Sequence, residues 1–262
     1  MISIVTPTYN SGKFIQQTIQ SLKDQTNKDF EHIVVDAGST DNTKDICINE
    51  GITKFFLFEN SSMYEAIDFG FKQSSGDILC WLNSDDLFLP DTTSYVNEFF
   101  SKNISLNIIA GNTEYIDESG FLMYKYRFPK IPKVIFRCFG TLYLCQPSVF
   151  WRRKTYFDNG GLNLDYKLSA DRDFIFRVLK SDELIYVNKV LSKFRIHSKN
   201  LSRTKAEEAI EEDRIINKQL NVGPINPVNR LLSLAGHTYI KLYNPGMIVW
   251  KAKKFFNLKK QL

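Results

Sequence analysis

The sequence predicts an α/β fold in which helices flank a mainly parallel, Rossmann-like sheet. Over the first hundred residues, short β-forming runs alternate with patterns typical of amphipathic helices, as βαβ units require. Polar loops follow three of the predicted strands, which is where open α/β sheets bind ligands. With 262 residues, 43% of them hydrophobic, the chain can form one large domain or one domain with an appendage.

The first half of the predicted domain, residues 1–102, contains the βα units. The run at residues 2–6 predicts the first strand, and residues 13–25 predict a helix because their apolar positions fall on one face. Residues 32–36 predict the second strand. The elements predicted next are a helix at 41–49, a strand at 54–58, a helix at 63–73 and a strand that ends at Asp85.

The second half of the domain, residues 103–220, is less regular. Residues 108–115 and 121–128 predict a hairpin, and the aromatic stretch after Pro129 and Pro132 predicts a loop packed on the domain. The remaining predictions are strands at 147–151, 184–187 and 191–196 and helices at 171–179 and 204–220. Residues 221–262 are predicted to be a helical extension with basic and amphipathic character.

Three polar segments after predicted strands are expected to line one crevice. They are residues 7–10 (Pro-Thr-Tyr-Asn), 37–41 (Ala-Gly-Ser-Thr-Asp) and 83–86 (Asn-Ser-Asp-Asp). The carboxyl ends of parallel strands meet at one edge of a sheet, so these segments should meet there too. Neither Gly-x-Gly-x-x-Gly nor a P-loop motif occurs, so neither dinucleotide binding nor a P-loop is predicted.

Asp85 and Asp86 follow a strongly apolar strand and indicate a metal site. Carboxylates at such a position are costly to desolvate unless they are paired or bind a cation. Mg²⁺ or Mn²⁺ takes one or two protein carboxylates and completes its shell with the phosphates of a nucleotide. The alternative at this point is an ordinary turn or helix cap, for which Asp and Ser are also common.

Asp36, at the end of the second strand, is a candidate for nucleoside binding. Its carboxylate can accept hydrogen bonds from ribose hydroxyls or a base N–H, while Thr6 and Tyr9 can contact or stack on the base. The alternatives are that Asp36 caps the next helix and that Tyr9 packs against the protein.

These segments, in order and spacing, resemble the family 2 inverting glycosyltransferases of the GT-A fold. The match is specific over roughly the first 90 residues and weaker to about residue 200. The segments that carry it are residues 5–10, Gln25-Thr26, residues 31–43, 75–78 and 82–86, and then residues 146–150, Gly160-Gly161 and residues 170–173. The resemblance implies a glycosyltransferase domain over residues 1–220, with a nucleotide-binding half and an acceptor-binding half.

The resemblance also implies a role for each candidate residue. Thr6, Tyr9 and Asp36 would hold the nucleoside, and Ser62 lies where relatives select the donor sugar. Asp85 would contact the ribose or the metal, and Asp86 would be the main ligand of Mn²⁺ or Mg²⁺. Asp171 would be the general base, and His197 would lie near the metal or the diphosphate. Asn60-Ser61-Ser62 departs from the Asp-Lys-Gly-like element of many relatives, which weakens the transfer at Ser62.

The implied reaction is the inverting transfer of one sugar, with a UDP-sugar favoured, to a glycan or lipid-linked acceptor in surface polysaccharide assembly. The Gln-x-x-Arg-Trp element of processive synthases is absent, so single addition is expected. Two other classes remain open from the residues alone: a nucleotidyltransferase, and a non-catalytic sugar-nucleotide-binding or scaffold protein. No activation loop rich in Gly and basic residues follows the first strand, which disfavours the nucleotidyltransferase.

The basic residues are concentrated near the end of the sequence. From Pro224 to Leu262 there are seven Lys and Arg and no acidic residue, which leaves 27 basic against 29 acidic residues before it. A general nucleic-acid surface is therefore not predicted. Interspersed apolar residues predict instead that residues 224–262 attach the protein to an anionic membrane surface. The alternatives are a helix packed on the domain and a homodimer contact.

Cysteine usage and hydropathy indicate a cytoplasmic protein. The four cysteines lack Cys-x-x-Cys spacing, so reduced core thiols are expected rather than a zinc site or disulfides. No apolar run approaches the roughly 18 residues of a membrane span, and Met1-Ile2-Ser3 leads into a strand rather than a signal peptide. Localisation is expected to be cytoplasmic or peripheral on the inner face of the plasma membrane.

Overall fold

A computed structural model describes residues 1–131 and 133–250 and shows a mixed α/β protein. The strands are β1 (Ile2–Thr8), β2 (Phe30–Asp36), β3 (Lys54–Leu57), β4 (Ile78–Trp81), β5 (Leu87–Phe88), β6 (Ile108–Ile116), β7 (Leu122–Tyr126), β8 (Val149–Arg152) and β9 (Leu184–Arg195). The helices are α1 (Ile15–Lys23), α2 (Thr43–Asn49), α3 (Met63–Lys72), α4 (Thr92–Lys102), α5 (Lys133–Phe139), α6 (Arg153–Asp158), α7 (Ala170–Val178), α8 (Leu201–Thr204), α9 (Ala206–Leu220) and α10 (Pro227–Tyr243).

One sheet runs through both predicted halves of the domain. Among the described residues its order is β3-β2-β1-β4-β8-β6-β9-β5, and β7 pairs with the outer part of β6. The first four strands in this order are parallel, β8 is antiparallel to both its neighbours, and β6 and β9 are parallel. The predicted α/β sheet flanked by helices is confirmed, while the division at residue 102 stays a prediction.

Side chains along the central strands point alternately to the two faces of the sheet, where they pack into two separate apolar layers. In β1 and β4, Val5, Leu79 and Trp81 face the layer that contains α3 and α7, whereas Ile4 and Cys80 face the layer that contains α4. Both strands are buried along their whole length, which explains their nearly continuous apolar sequence. The core therefore lies on both sides of the strands that carry the polar loops.

Segments of both halves differ from prediction. The two strands expected at 184–187 and 191–196 are one strand, β9, whose register against β6 shifts twice near Asn112. The stretch expected to be a loop after Pro132 contains α5. An additional helix, α4, buries Val96 and Phe100 against the sheet. Packing against distant strands, rather than local pattern, determines each of these elements.

Helix α10 lies within the predicted extension and packs on the domain. Gly236 approaches Phe139 of α5 so closely that a Cβ atom would lie 2.2 Å from its ring. Asn244 accepts a hydrogen bond from Arg127 N and donates one to Arg127 O. Residues 251–262 of the extension lie outside the described residues. No helix in the described part of the chain is long and apolar enough to cross a membrane.

The four cysteines are free in the structure, in agreement with the sequence. Cys47, Cys80 and Cys145 are buried and Cys138 is half-buried. Burial raises the pKa of the Cys145 thiol to about 12, so this group stays protonated and inert at neutral pH.

His32 on β2 is expected to make stability depend on pH. Its Nε2 lies 2.9 Å from Thr6 Oγ1, while its Nδ1 is enclosed without a hydrogen-bond partner among the described residues. Burial lowers the pKa of His32 from 6.5 to about 4. Between these values the unfolded chain binds the proton more tightly, so the free energy of unfolding should fall as pH drops from 6.5 to 4.

His32→Gln should remove this dependence, which amounts to about 1 to 3 kcal/mol in the wild-type protein. Urea unfolding curves between pH 4.5 and 7 would measure it. His237→Gln is the control and should change the slope less, because His237 lies on the surface of α10 and its pKa is lowered without the same enclosure. Identical slopes for His32→Gln and wild type would contradict the assignment.

Candidate active site

The carboxyl ends of the four parallel strands meet at one edge of the sheet. Thr8 of β1 lies opposite Asp36 of β2, and Asp36 lies opposite Leu57 of β3. Leu82, just after β4, donates its N–H to Val5 O at 2.9 Å. The loops that follow these strands therefore emerge side by side, as the sequence predicts.

Hydrogen bonds join these loops to one another. Asn10 has a left-handed backbone with φ of 48°, donates its N–H to Ser39 Oγ, and accepts from Thr40 N at 2.9 Å. Ser11 Oγ lies 2.7 Å from Ser84 Oγ in the loop after β4. The three predicted polar segments thus form one continuous surface at the edge of the sheet.

The predicted nucleoside residues occupy different environments on this surface. Tyr9 is 61% exposed, so its ring is available to a ligand. Asp36 is buried, and its two carboxylate oxygens accept from Ser39 N at 2.9 Å and Ser39 Oγ at 2.5 Å. Thr6 is fully buried, with its hydroxyl against His32. Of the three, Tyr9 is the one that faces solvent.

Asp86 turns into the protein. It is 1% exposed, and its carboxylate accepts from Arg195 N at 2.9 Å and from Asn83 Nδ2 at 3.3 Å. Burial and the neighbouring Asp85 carboxylate raise the pKa of Asp86 well above its usual range. Both oxygens of the residue predicted to be the main metal ligand are therefore engaged by protein donors.

Asp85 points the other way, toward His197. Its Oδ2 lies 2.7 Å from His197 Nε2 and 3.3 Å from Asn200 Nδ2, and 22% of its side chain is exposed. The His197 ring packs on Phe14 with centroids 5.0 Å apart. The structure thus brings together a carboxylate and an imidazole from segments 112 residues apart. Among the described residues, no group of three or more His, Cys, Asp or Glu is arranged to hold a metal.

Arg195 was not among the predicted residues, yet it organises this part of the site. Its guanidinium donates to Asp85 O at 2.9 Å, to Glu118 O at 3.0 Å and to Gln17 Oε1 at 2.7 Å, and it lies over the Phe14 ring. The residue is fully buried, and burial lowers the pKa of its guanidinium. The available signal was the position of this arginine at the end of a predicted strand, two residues before the candidate His197.

Asp171 lies in the first turn of α7 and is held by one oxygen. Its Oδ1 accepts from Arg172 N at 2.8 Å and from the Tyr64 hydroxyl at 2.9 Å. No described residue donates a hydrogen bond to its Oδ2, and the residue as a whole is half-buried. Burial raises the pKa of Asp171, and the Tyr64 hydrogen bond opposes this rise. The N-cap of α7 is Ser169, not Asp171.

Ser62 connects the predicted sugar-selecting region to Asp171 through α3. Its hydroxyl caps α3 by accepting from Glu65 N, while the Glu65 side chain accepts from Ser62 N at 2.7 Å. This capping box fixes the first turn of α3, which carries Tyr64. Because α3 starts at the carboxyl edge of the sheet, it joins Asp171 to the same edge as Asp85.

Comparison with protein families identifies the enzyme class. The model of the family described as glycosyl transferase family 2 matches residues 3–161, more than half of the chain. The chain belongs to glycosyl transferase family 2. The predicted family and enzyme class, a glycosyltransferase, are therefore confirmed, and the first two polar loops, the Asp85–Asp86 loop and β8 all lie within the matched region.

Relatives of this glycosyltransferase support the same assignment. An uncharacterized glycosyltransferase of Rickettsia typhi is 26% identical over 230 residues, which cover 82% of this chain and 70% of the relative. Other matched relatives are longer, and the chain spans 35% of the length of one from Rickettsia conorii. Identity at this level supports the family but does not define a substrate.

Solved structures share the fold of this glycosyltransferase. S. aureus TarS residues 1–349 in complex with UDP-GlcNAc has a TM-score of 0.68 at 23% identity, over 84% of this chain and 67% of that one. The mannosyltransferase PcManGT from Pyrobaculum calidifontis, in complex with GDP-Man and Mn²⁺, has a TM-score of 0.59 at 14% identity, over 98% and 80%. The GT-A fold predicted from the sequence is confirmed.

Arg195→Met should destabilise this glycosyltransferase by about 3 kcal/mol or more. The substitution leaves the carbonyls of Asp85 and Glu118 without their donor and removes the cation beside two carboxylates. Urea unfolding at pH 7 would measure the change. Arg214→Met, which removes an exposed arginine paired with Glu211, is the control and should change stability by less than about 1 kcal/mol. Equal effects of the two substitutions would contradict the role of Arg195.

Proposed function

We propose that this glycosyltransferase transfers one sugar, with inversion, from a nucleoside diphosphate sugar to a hydroxyl of a glycan or lipid-linked acceptor. One observation carries the proposal. A carboxylate–imidazole pair, Asp85 and His197, and a separate carboxylate, Asp171, whose Oδ2 accepts no hydrogen bond from a described residue, belong to loops and helix ends at the same edge of the sheet. Single displacement at an anomeric carbon needs these two functions: stabilisation of the leaving group and a base.

The donor nucleoside is proposed to bind over the loops after β1 and β2. The exposed Tyr9 ring offers a surface on which a base can stack. Asp36 and Thr6, whose polar atoms have protein partners, would shape this subsite through Ser39 and His32. A UDP-sugar is favoured, and the similarity of the fold to TarS bound to UDP-GlcNAc supports this choice.

Asp85 and His197 are proposed to hold a divalent metal. A carboxylate with an imidazole is a donor set that Mn²⁺ accepts readily, and Mg²⁺ prefers the oxygen donors. Two protein ligands suffice where a diphosphate supplies the others. A bound divalent ion would offset negative charge on the departing nucleoside diphosphate. PcManGT, which shares the fold, is bound to Mn²⁺ and GDP-Man. We assign Asp86, predicted to be the main ligand, to holding the loop through Arg195 N instead.

Asp171 is proposed to act as the general base. The acceptor oxygen forms the new bond at the anomeric carbon as the bond to the diphosphate breaks, and the acceptor proton passes to Asp171 Oδ2. Tyr64 and Arg172 N hold Oδ1, which leaves Oδ2 as the oxygen to take the proton. Burial raises the pKa of Tyr64, so its hydroxyl stays protonated and remains a donor to Asp171.

Asp171→Asn should lower turnover by about 10² to 10⁴, because the amide cannot take the proton. Affinity for the donor should stay within a few-fold, since Asp171 belongs to the acceptor side. Initial rates and isothermal titration with the nucleotide sugar would separate the two. Asp165→Asn, an exposed carboxylate shortly before α7, is the matched control and should keep wild-type rates. Wild-type turnover in Asp171→Asn would rule out this base.

A screen of UDP-, GDP- and dTDP-sugars with Mn²⁺ or Mg²⁺ tests the donor and the metal together. At least one combination of nucleotide sugar and metal ion should raise the melting temperature, because a ligand that binds the folded state stabilises it. The same combination should give slow hydrolysis of the donor. Asp85→Asn and His197→Gln should lose the metal-dependent part of the shift. No shift and no hydrolysis with any pair would favour a protein that binds no nucleotide sugar and would refute the proposal.

A further inference from the structure

The outer face of α10 is apolar and exposed, although the helix is already packed on the domain. The inner face carries Ser233, Gly236 and Ile240, which are buried. The outer face, defined here by Val228, Leu231, Leu234, Ala235 and Leu242, lies opposite. Its four larger side chains are 65%, 69%, 65% and 70% exposed. A helix that is apolar on both faces needs a second apolar partner.

The charged side chains of α10 itself, Arg230 and Lys241, are both positive. Both are exposed and lie beside the apolar side chains of the outer face. From Pro224 to Leu262 the sequence contains seven Lys and Arg and no Asp or Glu. The partner of the outer face must therefore be apolar and must also be compatible with these positive charges.

A second copy of the chain is a poor partner for this surface. Two outer faces packed together would bring Arg230 and Lys241 of one copy close to those of the other, and α10 has no acidic side chain to place between them. An anionic bilayer offers both properties that are needed, because its headgroups attract Lys and Arg and its acyl region accepts leucine side chains. We infer that the outer face of α10 is the surface that docks this protein on an anionic membrane.

The hairpin formed by β6 and β7 connects the outer face of α10 with the candidate active site. At one end, Tyr126 of β7 and the following Phe128 pack under Ile240 of α10. At the other end, the turn between β6 and β7 accepts hydrogen bonds from Arg195 through Asp117 O and Glu118 O. Docking through α10 would thus hold the crevice at a fixed position relative to the bilayer. The inference concerns binding and does not depend on the proposed donor or reaction.

Vesicle flotation with the full chain tests the inference. We expect binding to vesicles of phosphatidylglycerol and phosphatidylcholine, weaker binding to pure phosphatidylcholine, and weakening of the anionic interaction by salt. Leu231→Glu combined with Leu234→Glu should reduce the partition coefficient on the order of tenfold or more. The control is Ile48→Glu combined with Ile104→Glu, at residues 56% and 83% exposed elsewhere, which should bind like wild type.

Both double variants should unfold at temperatures close to that of the wild type, because all four substituted side chains are exposed. The increase in melting temperature caused by the donor should also be the same in the two variants. Three results would overturn the inference. The first is that the wild-type protein does not bind anionic vesicles, and the second is that the Leu231→Glu/Leu234→Glu variant binds them as well as the control variant does. The third is that light scattering shows a wild-type dimer that the Leu231→Glu/Leu234→Glu variant disrupts and the control variant does not. A failed donor screen with intact vesicle binding would refute the proposed reaction alone.

Discussion

The contact between Arg195 and the loop after β4 is the interaction on which the Asp85–His197 side of the crevice depends. Asp86 and Arg195 are both buried, and neither charge is stable there without hydrogen bonds. The backbone N–H of Arg195 satisfies Asp86, while its guanidinium binds the carbonyls of Asp85, Asp117 and Glu118. Three distant segments are thereby held together. With Asp86 anchored inward, Asp85 is directed toward His197, two residues beyond the same arginine.

A second, smaller network supports Asp171. The capping box of Ser62 and Glu65 fixes the first turn of α3, and Tyr64 from that turn reaches Asp171 on α7. The two networks are anchored to different parts of the fold, the Asp85–His197 pair to β9 and Asp171 to α3 and α7. This separation lets the geometry of each side be set independently. It also agrees with a reaction in which the leaving group and the attacking hydroxyl occupy opposite sides of the sugar.

Helix α10 packs on the domain with one face and exposes apolar side chains on the other. Gly236 permits close contact with Phe139, and the Asn244 amide closes the end of the helix on the Arg127 backbone. These contacts orient the helix so that its leucines with the greatest exposure point away from the domain. The helix packed on the domain, one of the alternatives from the sequence, is thus observed. Its packing still leaves apolar side chains of α10 exposed.

Local pattern was sufficient for the βα units of residues 1–85, because the strands and helices there carry their own apolar periods and the polar loops follow directly. It was also sufficient to name Asp85 and Asp86 as candidates, whereas Asp171 and His197 were named through the family resemblance. Pattern could not show which carboxylate of the adjacent pair faces the crevice, since that depends on Arg195, more than a hundred residues later. Nor could it show that Thr6 has an internal partner, that β9 is continuous, or that α5 forms in an aromatic stretch. In each case the outcome follows from contacts between segments that are distant in the sequence, and a polar group such as the Thr6 hydroxyl is buried where a partner from another segment satisfies it.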